Sequence, residues 1–371
     1  MRSHAAVLVG FLTLAASASF SPAAITYSIT DLGTFGGVSS FANSINNSGQ
    51  VVGWYDTASQ KRRAFLYDQG QFTDLGTLGG TYSVAISINN QGQIVGNSTT
   101  ASATHAFIYE NGLMRDLVPQ GPESLVGAIN DEGEIVGQNI VTLRAVILSN
   151  GSAIELPTPG PQMSFAMGIN NHGQIVGNYD FKAGLDATAT RAFLYNSGKI
   201  TDLGTLYGNN PPDVAFTDAV AINEQGQIVG SGRLSIGDTH AFLYSDGVMR
   251  DLGTLDARYS DAYSINNSGE IVGILTTIAP QHRRFIYRGG VMTDLNDLIA
   301  PDSGWTIQWA RDINDLGQIA GVGIKDGIPR GIILTPVPEP AAFLLLLAFP
   351  IVTSRRRRLP FTRCNGSSTD Q

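Results

Sequence analysis

Two insertions in this sequence carry the acidic and aromatic side chains that could bind or cleave a sugar. They follow Gly177 and Leu206 and span residues 178–190 and 207–218, where the spacing between otherwise regular motifs grows. The residues predicted to form ligand loops are Tyr179, Phe181, Asp186, Tyr207, Asp213 and Phe216. Other ionisable residues of the same insertions are Asp180, Lys182 and Asp218. Aromatic rings suit sugar binding and paired carboxylates can hydrolyse glycosides. The sequence does not show that these residues converge, and it favours plain surface decoration of the loops.

A second set of candidate residues recurs once in each of seven repeats. A basic residue precedes the motif Ala-Phe-(Leu/Ile)-Tyr or its degenerate copy: Arg63, His105, Arg144, Arg191, His240, Arg283 and Arg330. An acidic residue stands near the end of the next predicted strand: Asp31, Asp74, Asp116, Glu155, Asp202, Asp251 and Asp294.

A two-residue loop at Asn111-Gly112 places Phe107 opposite Asp116, so that His105 lies diagonal to Asp116 on the same face. The sequence therefore predicts a structural ion pair or hydrogen bond in each repeat. Metal binding or acid–base chemistry is the alternative. It is disfavoured because arginine cannot ligate a metal, and because a site used once does not appear in seven repeats.

Composition excludes several classes of protein. The chain of 371 residues has 43 glycines, one cysteine (Cys364) and only 15% charged residues, which excludes a disulfide scaffold. Residues 25–340 hold 17 basic and 30 acidic side chains, a formal net charge of −13, which argues against nucleic acid as a partner. Catalytic and phosphate-binding signatures are absent from the sequence, and it predicts no catalytic residue, metal site or cofactor.

The strands that position these residues can be predicted from one motif that occurs seven times in the sequence. The motif Ile-Asn-x-x-Gly-x-(Ile/Val)-(Val/Ala)-Gly begins at Ile45, Ile88, Ile129, Ile169, Ile222, Ile265 and Ile313. Its spacing of 40–53 residues indicates a propeller, a solenoid or an array. Each period reads as four short antiparallel strands separated by tight turns such as Asn89-Asn90-Gln91-Gly92. Adjacent apolar residues in these strands indicate small sheets that are buried on both faces.

We expect an all-β fold, a seven-bladed β-propeller with four antiparallel strands per blade. The first Asp-Leu-Gly-Thr, at Asp31, precedes any Ile-Asn motif, and the last repeat has no fourth strand after Leu334. The N-terminal strand, residues 27–32, is therefore predicted to complete the last blade and close the ring, which removes exposed sheet edges. An open β-solenoid is the alternative, but it leaves the spare strand unexplained.

The repeats resemble the HAF family of extracellular repeats, whose name-giving tripeptide stands at His105-Ala106-Phe107 and His240-Ala241-Phe242. The resemblance extends from about residue 31 to residue 334. It implies an exported repeat protein, and it brings no assigned catalytic residues.

Both ends of the chain are predicted to be targeting segments. Residues 1–24 combine Arg2, an apolar run and small residues, as a secretory signal peptide does. Residues 337–358 resemble the PEP-CTERM sorting signal, with an apolar stretch between the residues of the sorting motif: Pro338, Glu339, Pro340, Arg355, Arg356, Arg357 and Arg358. Residues 359–371 form an extension that such tails usually lack.

The PEP-CTERM resemblance implies cleavage by an exosortase after transient membrane association through the C-terminal membrane segment. A retained tail anchor is the alternative, although about 13 apolar residues fall short of a helical span.

These features predict a non-enzymatic propeller of residues 25–336, exported to the bacterial envelope or extracellular matrix. It would act as a binding, adhesion or structural module for a polysaccharide or protein ligand. The alternative is a carbohydrate-active propeller enzyme, a glycosidase or lyase. At least two unpaired carboxylates from different blades that meet in one cleft at the channel mouth would favour the enzyme. A channel lined only by backbone, asparagine and small side chains would disfavour it.

Overall fold

Seven four-stranded antiparallel sheets form the blades of a β-propeller, as the sequence predicted. The computed structural model describes residues 25–337 except 120, 122, 150, 160–162, 183–187, 208–215, 236–237 and 278–282, and gives only the backbone at 181, 182, 188, 189 and 235. Ile25–Val337 forms one compact unit. An α-helix is absent from the described residues, and a 3-10 helix occupies Leu295–Leu298.

The strands are numbered in chain order, with four consecutive strands in each of blades 1 to 6. Blades 1 to 3 contain β2 (Ser39–Ile45), β3 (Val51–Asp56), β4 (Arg62–Asp68), β5 (Gln71–Gly76), β6 (Ser83–Ile88), β7 (Ile94–Thr99), β8 (Thr104–Glu110), β9 (Leu113–Asp116), β10 (Ser124–Ile129), β11 (Ile135–Asn139), β12 (Arg144–Ser149) and β13 (Ser152–Glu155). Blades 4 to 6 contain β14 (Ser164–Ile169), β15 (Ile175–Lys182), β16 (Thr188–Asn196), β17 (Lys199–Asp202), β18 (Thr217–Ile222), β19 (Ile228–Ser235), β20 (Asp238–Ser245), β21 (Val248–Asp251), β22 (Tyr259–Ile265), β23 (Ile271–Thr276), β24 (Arg283–Arg288) and β25 (Val291–Asp294).

Blade 7 is built from both ends of the compact unit. It contains β26 (Thr306–Ile313), β27 (Ile319–Lys325), β28 (Ile328–Val337) and β1 (Thr26–Gly33). β1 pairs antiparallel with β28, with Thr26 opposite Val337. The prediction that the N-terminal strand completes the last blade is confirmed, and an open solenoid is excluded.

Strand direction gives the ring two chemically different ends. Because the strands of a blade alternate in direction, the turns from the first to the second strand and from the third to the fourth lie at one end, here called the turn end. The connections from the second to the third strand, and from each blade to the next, lie at the opposite end, the loop end. Both insertions noted in the sequence belong to the loop end.

The last glycine of the repeat motif allows the first and second strands of each blade to approach closely. A Cβ built on Gly230 would lie 1.9 Å from the carbonyl oxygen of Asp218, and the equivalent glycines of the other blades meet a carbonyl oxygen at 1.9–2.1 Å. A bulge in the first strand, between Ala219 and Ala221 in this blade, accompanies the approach. Any larger residue at Gly230 would push the innermost strand towards the channel.

Apolar side chains fill the spaces between neighbouring blades. The phenylalanines of the repeated Ala-Phe pair are among the largest fully buried side chains: Phe65, Phe107, Phe193, Phe242 and Phe285. The cluster around Phe107 also takes Val52 and Ala64 from the preceding blade. Burial of each such ring stabilises the fold by about 1.5–3 kcal/mol.

The two predicted targeting segments, residues 1–24 and 338–371, lie outside the described residues. Within the part of the chain that the structure describes, no helix has the length and apolar character needed to cross a membrane.

Candidate functional site

The turn end of the channel is closed by a ring of buried asparagines. The asparagine of every Ile-Asn motif donates from its side-chain nitrogen to the backbone carbonyl of the equivalent asparagine in the next blade, over 2.9–3.1 Å. The ring, here called the asparagine ring, consists of Asn46, Asn89, Asn130, Asn170, Asn223, Asn266 and Asn314. The last link, from Asn314 to Asn46, joins blade 7 to blade 1 at 2.9 Å.

Each asparagine of this ring also closes its own turn. The Asn89 side-chain nitrogen donates to Gln93 Oε1 at 2.8 Å, and its oxygen accepts from the backbone nitrogens of Gln91 and Gln93 at 3.1 and 2.9 Å. The amide therefore makes all four of its hydrogen bonds, as a buried polar group must. The sequence indicated only that this asparagine belongs to a tight turn. The structure shows that it also links neighbouring blades.

A second ring of polar residues lies directly outside the first and surrounds a cavity of about 200 Å³. In each blade the backbone nitrogen of the residue after the ring asparagine donates to the side chain of its equivalent in the next blade, over 2.7–3.2 Å. The members are Asn47, Asn90, Asp131, Asn171, Glu224, Asn267 and Asp315. The three carboxylates of this ring each accept at least one backbone hydrogen bond, so their oxygens serve closure of the ring.

At the loop end of the channel, the residue types are not the same in every blade. In each innermost strand, the residue directly before buried Ala42 or its equivalent lies on the opposite face of the strand. We call these residues the mouth layer: Phe41, Val84, Leu125, Phe165, Asp218, Asp261 and Trp309. Their types differ from blade to blade, and the two carboxylates stand in neighbouring blades 5 and 6.

Asp218 and Asp261 form the acidic sector of this mouth. Burial, and then the negative charges of Asp261 and Asp180, raise the pKa of Asp218 to about 6, although a hydrogen bond from Asn178 opposes the shift. Burial likewise raises the pKa of Asp261, opposed by a hydrogen bond from Ser231. Asp218 Oδ1 is buried and has no hydrogen-bond partner among the described residues. A carboxyl group in this state can donate or accept a proton near neutral pH.

Aromatic rings and guanidinium groups form the adjacent sector, in blades 6 and 7. The Arg311 guanidinium lies 4.3 Å from the ring centroid of Trp309 and 5.4 Å from that of Tyr263. Arg284 lies 4.8 Å from the Trp309 ring. In blade 1, Phe41 stacks on Trp54 at 3.9 Å, and Arg62 covers the same tryptophan at 3.5 Å. In this sector the aromatic rings are therefore packed against guanidinium groups.

The predicted basic–acidic pairs come together in four blades. His105 Nδ1 lies 2.6 Å from Asp116, His240 Nδ1 lies 2.9 Å from Asp251, Arg330 Nη1 lies 2.7 Å from Asp31, and Arg283 Nε lies 3.7 Å from Asp294. The remaining basic residues of the set are Arg63, Arg144 and Arg191.

Blades 1 and 4 hold the acidic residue with a tyrosine. The hydroxyls of Tyr55 and Tyr179 donate to Asp74 and Asp202 at 3.1 and 3.0 Å. Arg63 and Arg191 lie opposite these tyrosines in the strand register. In blade 3, Arg144 Nη2 donates to the carbonyl of Thr158 at 2.7 Å, and Glu155 is exposed.

The acidic member of the pair also stabilises a turn, which was not predicted from the sequence. In six blades its other oxygen accepts the backbone N–H two residues further on, over 2.7–2.9 Å. Aspartate is suited to this turn because its side chain has the right length. Glu155, the one glutamate of the set, is the exception. The sequence motif Asp-x-Gly could have indicated the turn.

The predicted ligand loops need correction at Tyr179. Its side chain is only 3% exposed and packs 6.5 Å from Phe193 in the core of blade 4, because β15 continues to Lys182 and turns this ring inward. Tyr207 and Phe216 are half-buried in the connection from blade 4 to blade 5. Asp186, Asp213 and the Phe181 side chain lie outside the described residues.

Sequence reasoning also missed Asp261, Arg284 and Trp309, whose neighbourhood only the fold reveals. The repeat alignment carries a signal for Arg284, which stands where five blades have alanine. It carries none for Asp261 and Trp309, because their position varies from blade to blade.

The fold is a seven-bladed β-propeller, an architecture that fits a binding or structural module. A family model described as "Protein of unknown function (DUF3466)" matches residues 29–157. Significant sequence similarity to a curated protein was not found.

Similar solved structures share the fold at low identity. Virginiamycin B lyase from Staphylococcus aureus is 12% identical over 84% of this chain and 100% of its own, with a TM-score of 0.53. A puromycin-hydrolyzing peptidase of Mycobacterium tuberculosis is 10% identical over 84% of this chain, with a TM-score of 0.53. The Pyrococcus horikoshii acylaminoacyl peptidase is 11% identical over 85%, with a TM-score of 0.54. The chain spans 51% and 55% of the two peptidases, and these likenesses show the fold alone.

Proposed function

We propose that this protein is an exported, non-enzymatic propeller of the bacterial envelope or extracellular matrix that binds a polysaccharide or protein ligand at the loop end of its channel. One observation carries the binding site. The polar groups of the two rings at the turn end are bonded to one another, whereas Asp218 in the mouth layer keeps a buried carboxylate oxygen without a hydrogen-bond partner among the described residues. A small number of polar groups left to bond a ligand is typical of binding sites.

Export and sorting are supported by the sequence. The signal-peptide pattern of residues 1–24, the resemblance to HAF repeats and the resemblance of residues 337–358 to a PEP-CTERM tail all agree on an exported chain. An exosortase-type protease is the proposed partner of the tail. Mass spectrometry of the protein recovered outside the cytoplasm tests this proposal, because a C-terminus near Pro340 is expected and a peptide that contains Cys364 would contradict it.

Glycan-array binding by the purified protein tests the ligand class. A double variant, Phe41→Ala with Trp54→Ala, removes the stacked pair of blade 1 at the loop end, and Asn90→Ala at the turn end is the matched control. We expect the double variant to lose binding and the control to keep it. Equal binding by both variants would place the ligand elsewhere.

A carbohydrate-active enzyme is the second candidate, because Asp218 and Asp261 come from different blades and burial raises the pKa of both. The negative charge of Asp261 raises the pKa of Asp218 further. A raised pKa is what a general acid needs in glycoside cleavage. Release of reducing ends from oligosaccharides that bind the protein would support this function if Asp218→Asn abolished it. Binding without any cleavage would leave the non-enzymatic proposal in place.

A further inference from the structure

A cavity of about 590 Å³ lies between blades 6 and 7, apart from the ring-lined cavity of the turn end. It is formed by the start of β24, the start of β26 and the connection between these blades, which includes the 3-10 helix. Its walls combine two indole rings, two guanidinium groups, one carboxylate and two side-chain amides: Arg283, Arg284, Asp294, Asn296, Trp305, Gln308 and Trp309. Cavities of this size hold small molecules in many proteins.

Arg284 is the feature of this cavity that the fold does not explain. The equivalent position is alanine in blades 1 to 5 and glycine in blade 7. Its side chain is only 3% exposed, and Nη1 donates to the carbonyl of Arg283 at 2.9 Å. Nε is buried without a hydrogen-bond partner among the described residues. A buried, incompletely bonded guanidinium costs stability unless a ligand completes its hydrogen bonds.

The nearby carboxylate is committed to other groups. Asp294 accepts from the backbone nitrogen of Asn296 at 2.9 Å and lies 3.7 Å from Arg283 Nε. Burial and the charge of Arg311 lower the pKa of Arg284, to about 10, although Asp294 opposes the shift, so the group stays protonated at neutral pH. The cavity therefore has two guanidinium groups, those of Arg283 and Arg284, against the single carboxylate of Asp294, although the protein is acidic overall.

We propose that this cavity binds a uronic-acid residue of an acidic polysaccharide, with the sugar carboxylate on the Arg284 guanidinium and the sugar ring against the indole of Trp305 or Trp309. A guanidinium matches the planar, bidentate geometry of a carboxylate. Gln308 supplies hydrogen bonds for hydroxyl groups. The Asn296 side chain already accepts from the backbone nitrogen of Ile307 at 2.8 Å and donates to Asp294 at 3.2 Å, so it shapes the wall. This inference deepens the proposed binding function and rests on it, because it names the ligand class and the blade junction.

Calorimetric titration of the purified protein tests the inference. The probes are oligosaccharides of galacturonate, glucuronate, mannuronate and guluronate, each compared with its methyl ester, which lacks the charge. We expect at least one acid to bind and its ester to bind at least tenfold more weakly. Arg284→Ala is expected to weaken binding of the acid at least tenfold, about 1.4 kcal/mol, and Arg284→Lys by an intermediate factor. Arg115→Ala, an exposed arginine of blade 2, is the matched control and should stay within twofold.

Arg284→Ala should fold, since alanine occupies this position in five blades, and Gln308→Ala provides a second cavity variant, expected to weaken binding of the acid at least threefold. Equal affinity for acid and ester, or unchanged affinity in Arg284→Ala, would overturn the inference. Binding of carboxylate-terminated peptides in place of uronides would overturn it as well. If neutral glycans bind on the array and no uronide does, the uronate site fails while the general binding function stands. If no glycan or protein ligand binds, both fail.

Discussion

The two ends of the channel are made by the same seven strands, yet they differ in what they leave unsatisfied. At the turn end, one asparagine per blade reaches the next blade and the amides are fully bonded. At the loop end, the mouth layer changes its residue type from blade to blade and holds two aspartates whose pKa values are raised by burial, Asp218 and Asp261. The residues repeated in every blade close the ring, and the residues that depart from the repeat form the proposed binding end.

The strongest way to break this contrast is to remove one link of the asparagine ring. Asn89→Ala removes four hydrogen bonds and leaves buried partners unsatisfied, so we expect a loss of about 3 kcal/mol in the free energy of unfolding. Asn90→Ala, one residue along in the exposed ring, should cost about 1 kcal/mol or less. Urea titration followed by tryptophan fluorescence measures both. Equal losses would show that burial does not distinguish the two rings.

The loop end should respond in the opposite direction. Asp218 has its pKa raised to about 6 in the fold, above an unfolded value of about 3.9, so its ionisation opposes folding as pH rises through this window. Asp218→Asn should therefore stabilise the protein by about 1–2 kcal/mol at pH 7, with the gain vanishing below about pH 4. Thermal or urea unfolding of both proteins between pH 4 and 8 measures this difference.

Glu132→Gln is the control for that series, because Glu132 is an exposed carboxylate of the turn end. It is expected to change stability by less than about 0.5 kcal/mol. A destabilising Asp218→Asn at pH 7 would mean that the carboxylate is held by favourable contacts and that the acidic sector is structural.

The smallest effect is expected at Tyr179, which belongs to the core and not to the mouth. Tyr179→Phe removes the hydroxyl that donates to Asp202 at 3.0 Å, and the expected loss is about 1 kcal/mol. Tyr55→Phe in blade 1 removes the matching bond to Asp74 and should cost a similar amount. Ligand binding should remain unchanged in both variants. A selective loss of binding in Tyr179→Phe would show that Tyr179 takes part in ligand binding after all.

The fold could be predicted from the sequence because the same turn and strand motifs recur in each blade. Turn glycines, the Ile-Asn motif and the count of Asp-Leu-Gly copies indicated seven blades and the closing strand, and the pairing of β1 with β28 confirms this. The same repeats predicted contacts such as His105 with Asp116, since the two residues lie on adjacent strands of one hairpin.

The candidate site could not be predicted in the same way. Asp218 and Asp261 are 43 residues apart in sequence, and only ring geometry makes them neighbours. The length of β15 also determines the position of Tyr179. Because this strand runs a few residues further than the sequence indicated, a residue assigned to a loop belongs to the core. Arg284 was visible as a degenerate copy of the alanine motif, but its burial beside Trp309 depends on packing between blades.

Closure by β1 also determines how the ring would respond to mechanical force. Thr26 lies opposite Val337, so the outer ends of β1 and β28 are at the same edge of blade 7. A force that draws Thr26 away from Val337 therefore loads their hydrogen bonds one after another, as a zip opens, and not all together in shear. The asparagine link from blade 7 to blade 1 and Asp312, which accepts from Ser44 at 2.8 Å and from Ser264 at 2.6 Å, lie deeper in the ring. Peeling of β1 would therefore precede any opening of the channel.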